Sequence, residues 1–361
     1  MTSNAKLIAF YLPQFHPTTR NNQWWGKGFT EWTNVAKAKK LYPGHYQPHI
    51  PADLGFYDLR LPEVRKAQAD MAREYGVYGF CYYHYWFENG FEELERPLDE
   101  VVKLGEPDFP FCLCWANESW YSKFWNKDGT VDKKILAEQK YLGEVDHKAH
   151  FLRLLPAFKD ARYIKYEGRL LFVIYKPLEF EDFLSFKNLW NNLAKENGLP
   201  EFYFVGYSIY IDKEYNEIKK AGFESIISCH LYDLSHHQSF LLRLSRWLLS
   251  RFVKVPGVLD YKKLYKYLIT PSEEADDVIP TLLPNWDHSP RSGRGGVIIK
   301  NATPDNFELH VKQVVGVLNK KNKSENLCFL KSWNEWGEGN YVEPDLKYGY
   351  GFLKVIKKYF G

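Results

Sequence analysis

Two glutamates near the end of the chain have a spacing that suits chemistry on a glycosidic bond. Glu335 and Glu338 lie three residues apart in the segment KSWNEWGEG, which begins at Lys331. If the backbone turns there, their Cβ atoms come to about 5–6 Å from each other. Glycosidases use two carboxyl groups, one protonated for the leaving oxygen and one ionised. We therefore take Glu335 and Glu338 as candidate catalytic residues, with a solvated acidic turn as the alternative.

Aromatic residues frame this pair in the sequence. Trp333 and Trp336 would exclude water and raise the pKa of one carboxyl group, and Asn334 lies between them. The whole chain has 12 Trp, 26 Tyr and 25 Phe residues, which is 17% of its length. Such rings stack on the apolar faces of sugars, but they also fill protein cores. The composition alone therefore leaves both roles open.

A second cluster follows a predicted strand at 111–115. It places Asn117 and Glu118 between two indoles, those of Trp115 and Trp120. We expect the amide and the carboxylate to recognise sugar hydroxyls and to give electrostatic support. The alternative is a strand-end cap with buried tryptophans.

A third cluster ends a predicted strand at 79–85. Side chains alternate between the two faces of a strand, so Tyr83 and Tyr85 point one way and His84 points the other. One of these two sets must face the centre of the fold. A satisfied core histidine among aromatic rings is the alternative for His84.

A fourth cluster, at 286–291, follows a predicted strand at 278–283. Trp286, Asp287 and Arg291 offer a ring, a carboxylate and a guanidinium for sugar hydroxyls or an anionic group. The alternative is a surface loop with an Asp–Arg pair. The complete set of candidate substrate-binding residues is Tyr11, Trp25, Glu31, Trp32, Tyr83, His84, Tyr85, Trp115, Asn117, Glu118, Trp120, Tyr175, Tyr207, Trp286, Asp287, Arg291, Trp333, Asn334 and Trp336.

The elements that must position these residues alternate between strands and helices. Helical periodicity lies between many of eight short apolar segments, a pattern typical of parallel βαβ units. The eight predicted strands are 7–12, 79–85, 111–115, 170–175, 203–207, 225–228, 278–283 and 327–332. We predict one (β/α)8 TIM barrel over residues 1–361, with long active-site loops. An open doubly wound sheet is the second choice.

Several classes of site and protein are disfavoured. The chain has no G-x-G-x-x-G after its first strand, no phosphate-binding P-loop and no H-E-x-x-H, so we expect no cofactor and no metal. The net charge of +3 argues against a nucleic-acid-binding protein. The mean hydropathy of −0.46 argues against an integral membrane protein. Five scattered cysteines and the lack of a signal-peptide core favour a cytoplasmic protein.

A basic segment at about 230–277 is predicted to be a variable insertion. Within it, residues 240–254 have apolar side chains on one helical face and arginines around that face. We favour a peripheral helix packed on the barrel. The alternative is contact with an anionic membrane surface, which would put the protein at the inner membrane face.

Seven motifs, in order along the chain, resemble the WbsX family. Proteins of that family are described as glycoside hydrolase family 99-like and are often encoded with lipopolysaccharide or capsule synthesis. The motifs are IAFYLPQFH (8–16), WWGKGFTEWTN (24–34), GHYQP (44–48), DLGFYD (53–58), GFCYYHYW (79–86), FCLCWANE (111–118) and WNEWGEG (333–339).

The resemblance implies a (β/α)8 barrel and a mechanism. The related endo-α-mannosidases cleave α-mannosidic bonds with retention and without metal, and the sugar 2-hydroxyl is the proposed nucleophile. By this resemblance Glu335 would be the base for the 2-hydroxyl, and Glu338 the acid for the leaving oxygen and then the base for water. The chain departs from the hydrolases at Gly337, where they commonly have His.

Three functions follow from these observations. The first is a retaining, metal-free glycoside-active enzyme that acts on an α-linked, mannose-type bacterial polysaccharide or its precursor. The second is a glycosyltransferase of lipopolysaccharide or capsule synthesis, which would extend a lipid-linked glycan. The third is a sugar-binding protein without catalysis.

Overall fold

The computed structural model describes residues 2–125, 131–231 and 257–361, with the backbone alone at 123–125 and 131–133. Most of the basic insertion, including the predicted amphipathic helix at 240–254, lies outside the described residues. In the part that is described, no helix is long and apolar enough to cross a membrane.

Eight parallel strands close into a barrel, as the sequence predicts. They are β1 (Lys6–Tyr11), β2 (Gly79–Trp86), β3 (Phe111–Trp115), β4 (Arg169–Ile174), β5 (Phe202–Ser208), β6 (Ser225–Ser228), β7 (Val278–Ile279 with Thr281–Leu282) and β8 (Leu327–Leu330). Each pairs with the next, and β8 returns to β1 with Lys6 opposite Leu327. The protein is therefore a (β/α)8 barrel.

Proline divides β7 without opening the barrel. Pro280 has no N–H for a ladder bond, but its carbonyl accepts the Phe329 N–H of β8. The half before Pro280 pairs with β6 and the half after it pairs with β8. The ring of strands is thus continuous.

Helices surround the barrel. They are α1 (Thr19–Trp25), α2 (Glu31–Lys37), α3 (Pro62–Glu74), α4 (Arg96–Leu104), α5 (Glu144–Phe158), α6 (Phe183–Glu196), α7 (Ile211–Lys220), α8 (Tyr261–Leu264), α9 (Ser289–Ser292), α10 (Pro304–Leu318) and α11 (Gly351–Phe360). The helices α1 and α2, which lie between β1 and α3, are each only seven residues long.

Aromatic side chains fill the centre of the barrel. The ring of Phe10 lies 5.4 Å from that of Tyr83, 5.9 Å from Tyr207 and 5.1 Å from Phe329, between ring centroids. The strands are buried on both faces, as expected of parallel sheets covered by helices. Many of the aromatic residues in the sequence therefore serve the core.

Among the described residues, three two-stranded sheets lie outside the barrel sheet. A hairpin of Trp120–Trp125 and Val131–Ala137 follows β3. Gly257–Asp260 pairs in parallel with Val297–Lys300. The segments Asn334–Glu335 and Asn340–Tyr341 pair in antiparallel fashion after β8.

Candidate active site

The turn after β8 holds both candidate catalytic glutamates. A single 3₁₀ turn at Trp336–Glu338 separates the two arms of the small antiparallel pair, and Gly339 takes the left-handed conformation with φ of 54°. Asn334 fixes this turn to the end of β1, because its side chain accepts the Leu12 N–H at 2.8 Å and donates to the Leu12 carbonyl at 3.1 Å. Asn334 therefore positions the turn and does not line the cavity.

A cavity of about 1050 Å³ opens at the carboxyl ends of the strands. Its volume is at the upper end of the ~300–1,000 Å³ of ordinary ligand sites, so it has room for more than a single sugar unit. Ten of the predicted site residues line it: Trp25, Glu31, Tyr83, Tyr85, Glu118, Trp120, Tyr175, Arg291, Glu335 and Glu338. Trp25 forms part of the rim and is 43% exposed.

One guanidinium joins three carboxylates in this cavity. Arg291 donates from Nη1 to Glu338 at 2.6 Å and from Nη2 to Glu335 at 2.6 Å. Its Nε donates to Glu31 at 3.1 Å. The planar fork of Arg suits such multiple contacts. The Asp–Arg pair of the alternative interpretation is not formed, because Asp287 contacts His45 and Gln47, and Arg291 holds the candidate catalytic residues together.

The two candidate catalytic carboxyl groups have opposite pKa shifts. Burial and the charge of Glu338 raise the pKa of Glu335 to about 7, although Arg291 opposes this. Burial also acts to raise the pKa of Glu338, but Arg291 and His288 outweigh it and lower that pKa to about 2. His288 Nε2 lies 3.3 Å from Glu338. Of the two carboxyl groups, Glu335 therefore binds a proton more readily, whereas the resemblance implies that Glu338 is the acid.

Glycine at position 337 leaves room for Glu31. A Cβ atom at Gly337 would collide with Oε2 of Glu31, which lies at the start of α2 and is almost fully buried. Since Arg291 holds that carboxylate, it cannot move aside freely. A histidine at 337 is incompatible with the position of Glu31 in this chain.

Successive side chains of β2 point alternately into the barrel and outward, as strand geometry requires. Tyr83 and Tyr85 line the cavity. His84 points outward, where its Nε2 lies 2.8 Å from Nε2 of His150 in α5. Tyr11 in β1 also points outward and donates its hydroxyl to Gln68 in α3 at 2.7 Å. His84 and Tyr11 are thus parts of the layer between barrel and helices and do not line the cavity.

Trp115 lies in the same outer layer. Its indole N–H donates to the Trp86 carbonyl at 2.9 Å, and its ring packs on His150 and on Phe186 in α6. The interpretation of Trp115 as a strand-end core residue fits this placement. Only the other indole of that cluster, Trp120, reaches the cavity.

Two of the predicted binding residues hold loops in place. Asn117 accepts the Lys176 N–H at 2.7 Å and donates to the Lys176 carbonyl at 3.0 Å, which fixes the end of β4. Asp287 makes 2.7 Å contacts with His45 and accepts from Gln47 at 2.7 Å. Their polar atoms are therefore used by the protein itself and are not presented to the cavity.

Three predicted indoles lie behind the cavity wall. Trp333 and Trp336 donate their N–H groups to the buried carboxylate of Glu343, at 2.8 and 2.6 Å. Trp32 donates to the Tyr57 carbonyl at 2.7 Å. Through these contacts the indoles support the turn that holds the candidate catalytic glutamates. Glu343 was missed from the sequence, because nothing local distinguishes it from a surface glutamate.

Tyr207 and Trp286 lie near the cavity without lining it. Their ring centroids are 5.5 and 5.9 Å from Nζ of Lys331, which does line the cavity. Lys331 and His288 are two of the polar side chains of the cavity that sequence reasoning missed. Both directly follow barrel strands or their loops, and that position was the signal that could have found them.

The described residues contain no group of three His, Cys, Asp or Glu side chains placed to hold a metal ion. Three of the acidic groups that line the cavity, Glu31, Glu335 and Glu338, bind Arg291. Two more, Glu118 and Glu179, lie 3.9 and 3.7 Å from Nζ of Lys176. The site as described can therefore move protons and stabilise charge through its own carboxyl and guanidinium groups.

The fold and the site define a class of protein: a closed (β/α)8 barrel with two buried carboxyl groups and aromatic walls at the carboxyl end of its strands. The family described as Glycosyltransferase WbsX matches residues 7–356, and the chain belongs to this family. A protein called "Uncharacterized protein WxcX", from two strains of Xanthomonas campestris pv. campestris, is 33% identical over 361 residues. The match covers 99% of this chain, which spans about half the length of these curated relatives.

Solved structures with the same fold include glycoside hydrolases. A "Glycoside hydrolase-like protein" gives a TM-score of 0.61 at 14% identity, over 99% of this chain and 94% of that one. The GH99 endo-alpha-mannosidase from Bacteroides thetaiotaomicron gives 0.56 at 14% identity, over 100% and 97% of the two chains. The complex of that enzyme with bis-tris-propane gives a TM-score of 0.55 at 12% identity, and the match covers 99% of this chain and 96% of that one. At these low identities the TM-scores show a shared fold.

Proposed function

We propose that this protein is a retaining glycoside-active enzyme that works without a metal and acts on an α-linked, mannose-type bacterial polysaccharide or its precursor. The observation that carries the proposal is the joining of Glu335 and Glu338 by Arg291 at one end of an aromatic cavity. Two carboxyl groups whose pKa values are driven apart by their surroundings form an acid and base pair. The hydrolase fold supports the same conclusion.

The charges of the site favour a definite order of proton transfers. Glu335 gives its proton to the leaving glycosidic oxygen, because it is the group with the raised pKa. Glu338 takes the proton of the sugar 2-hydroxyl, and that oxygen attacks the anomeric carbon as the glycosidic bond breaks. Water then opens the 1,2-anhydro sugar, with its proton passing to Glu335 while Glu338 returns its proton to the 2-oxygen.

Walls and charges of the cavity assist these steps. Tyr83, Tyr85 and Tyr175 present rings to the bound sugar, and Glu118 lies near its hydroxyls. Arg291 keeps Glu338 ionised. Aromatic rings that exclude water strengthen the electrostatic interactions inside the site. Trp25 and Trp120 extend the wall towards the rim, where a longer glycan would lie.

A glycosyltransferase is the second candidate, and the description of the family as Glycosyltransferase WbsX favours it. The same cavity would transfer the sugar to an acceptor hydroxyl in place of water, and the acceptor would be lipid-linked. This reaction needs no change in the roles of Glu335 and Glu338 unless a nucleotide sugar is the donor. Peripheral membrane contact through 240–254 remains part of this second proposal.

The test is NMR of α-mannosyl oligosaccharides incubated with the protein, with and without nucleotide sugars. We expect cleavage without nucleotide, release of the α-anomer first, and loss of activity in Glu335→Gln and Glu338→Gln. Glu196→Gln, on the exposed end of α6, is the control and keeps activity. If the oligosaccharide were instead elongated, and only when a nucleotide sugar is present, the proposed hydrolase function would be replaced by the transferase function.

Glycosyl fluorides assign the two roles. Fluoride needs no proton to leave, so a variant that lacks the acid still cleaves the fluoride although it fails on oligosaccharides. We expect this behaviour for Glu335→Gln and loss of both activities for Glu338→Gln. The opposite result would restore the order that the family resemblance implies.

A further inference from the structure

Lys331 places an ammonium group in the cavity among aromatic rings. It directly follows β8, is only 5% exposed and lines the cavity. Its Nζ lies 5.5 Å from the ring centroid of Tyr207, and 5.9 Å from those of Tyr175 and Trp286. The side chain is thus held by the core while its charged end meets the ligand space.

The charge of Lys331 has no close partner within the protein described. Across residues 2–125, 131–231 and 257–361, no carboxylate oxygen lies within 4 Å of its Nζ and no hydrogen-bond acceptor is recorded for it. Arg291, by contrast, has three carboxylate partners. The carboxylates of Glu335 and Glu338 feel the charge of Lys331 only at longer range.

The ammonium group of Lys331 has hydrogen-bonding capacity that the described part of the protein does not use. It has three N–H donors, and its Nζ is not fully buried, so a ligand in the cavity can reach it. Contact with ring faces is favourable for a cation, but the rings do not replace strong hydrogen-bond acceptors. The cavity therefore contains a cationic position that a ligand with a negative group would complete.

We propose that Lys331 binds an anionic substituent, a carboxylate or a phosphate, on the sugar that occupies the cavity. This inference rests on the proposed function, because it takes the ligand to be a glycan. Lys binds anions as a point charge without a fixed geometry, so the shared chemistry is the negative charge. The substrate glycan would then contain an acidic sugar, such as a hexuronic acid or a phosphorylated hexose.

The test is binding, which does not require turnover. Methyl α-glycosides of mannose, glucose and galactose are titrated by NMR beside the matching hexuronic acids and hexose 6-phosphates. We expect wild type to bind one acidic glycoside at least about 10-fold more tightly than its neutral counterpart, because hydrogen bonds between charged groups are stronger than those between neutral groups. The two acidic series distinguish carboxylate from phosphate.

Lysine variants assign the preference to one side chain. Lys331→Met should lose the preference for the acidic glycoside, and Lys331→Arg should keep most of it. Lys213→Met is the matched control, because Lys213 also lies over a tyrosine ring but on exposed α7. It should bind as wild type does.

The outcomes separate this inference from the proposed function. Equal binding of neutral and acidic glycosides by wild type would overturn the anion site and leave the glycan enzyme in place. If Lys331→Met lost affinity equally for the neutral and the acidic glycoside, Lys331 would be a hydrogen-bond donor to sugar hydroxyls. This result would also overturn the anion site. Failure of wild type to bind any of these glycosides would count against both. The comparison of neutral and acidic glycosides uses wild-type protein alone. The proposal therefore stays testable even if Lys331→Met is unstable.

Discussion

Gly337 lies directly against the carboxylate of Glu31, although 306 positions separate them in the sequence, from 31 to 337. The missing side chain at 337 is the space that Glu31 fills, and Arg291 binds Glu31 there at 3.1 Å. The departure of this chain from the hydrolase pattern at 337 is therefore linked to a buried acidic group elsewhere. The two positions form one structural unit of the site.

We expect Gly337→Ala to lower kcat/KM for the glycan by about 10-fold or more. The new methyl group displaces Glu31, and Arg291 then loses one of the contacts that hold it between the catalytic carboxyl groups. In a Glu31→Ala background, Gly337→Ala should lower kcat/KM much less, because the new methyl group no longer collides with the Glu31 carboxylate. Steady-state kinetics of the four proteins in a double-mutant cycle measure the coupling. Additive losses would show that the two positions act independently.

Replacement of Arg291 should move the pH profile of cleavage to higher pH. Its positive charge lowers the pKa of both Glu335 and Glu338. In Arg291→Met both carboxyl groups bind protons more tightly, so both limbs of the kcat/KM profile shift upward by about one unit or more. Arg291→Lys keeps a positive charge and should shift less. A fall in rate with an unmoved profile would mean that Arg291 only maintains the shape of the turn.

Glu343 should make stability depend on pH between about 5 and 8. Burial raises its pKa to about 7, although four donors bind it, those of Trp333, Trp336, Gln68 and Tyr57. The folded protein thus holds the proton more tightly than the unfolded chain does. The contribution of this group is complete below the ordinary pKa of 4.5 and is lost as the pH rises through about 7.

The variant Glu343→Gln removes this titration. It also loses part of the acceptor capacity, which we expect to cost about 1–3 kcal/mol of unfolding free energy. The difference between wild type and variant should therefore be larger at pH 5 than at pH 8. Chemical unfolding at the two pH values measures it, with the exposed Glu196→Gln as the control. An equal difference at both pH values would contradict the raised pKa.

Local patterns in the sequence were sufficient to predict the barrel. Each of the eight predicted strands coincides with a barrel strand, because buried parallel strands are short, continuous apolar runs. The period of two along β2 predicted that Tyr83 and Tyr85 share a face. The short helices α1 and α2 escaped notice, because seven residues are too few for helical periodicity to show.

The sequence by itself determined the barrel and the position of the candidate pair, since the 3-residue spacing of Glu335 and Glu338 is a local property. Only the tertiary structure decided which other side chains meet them. Arg291 and Glu31 are 260 positions apart and come together through barrel closure and loop packing. The pKa values of Glu335 and Glu338 depend on charges from these distant segments and on burial. Both are properties of the folded chain, so no local pattern could predict which carboxyl group holds the proton.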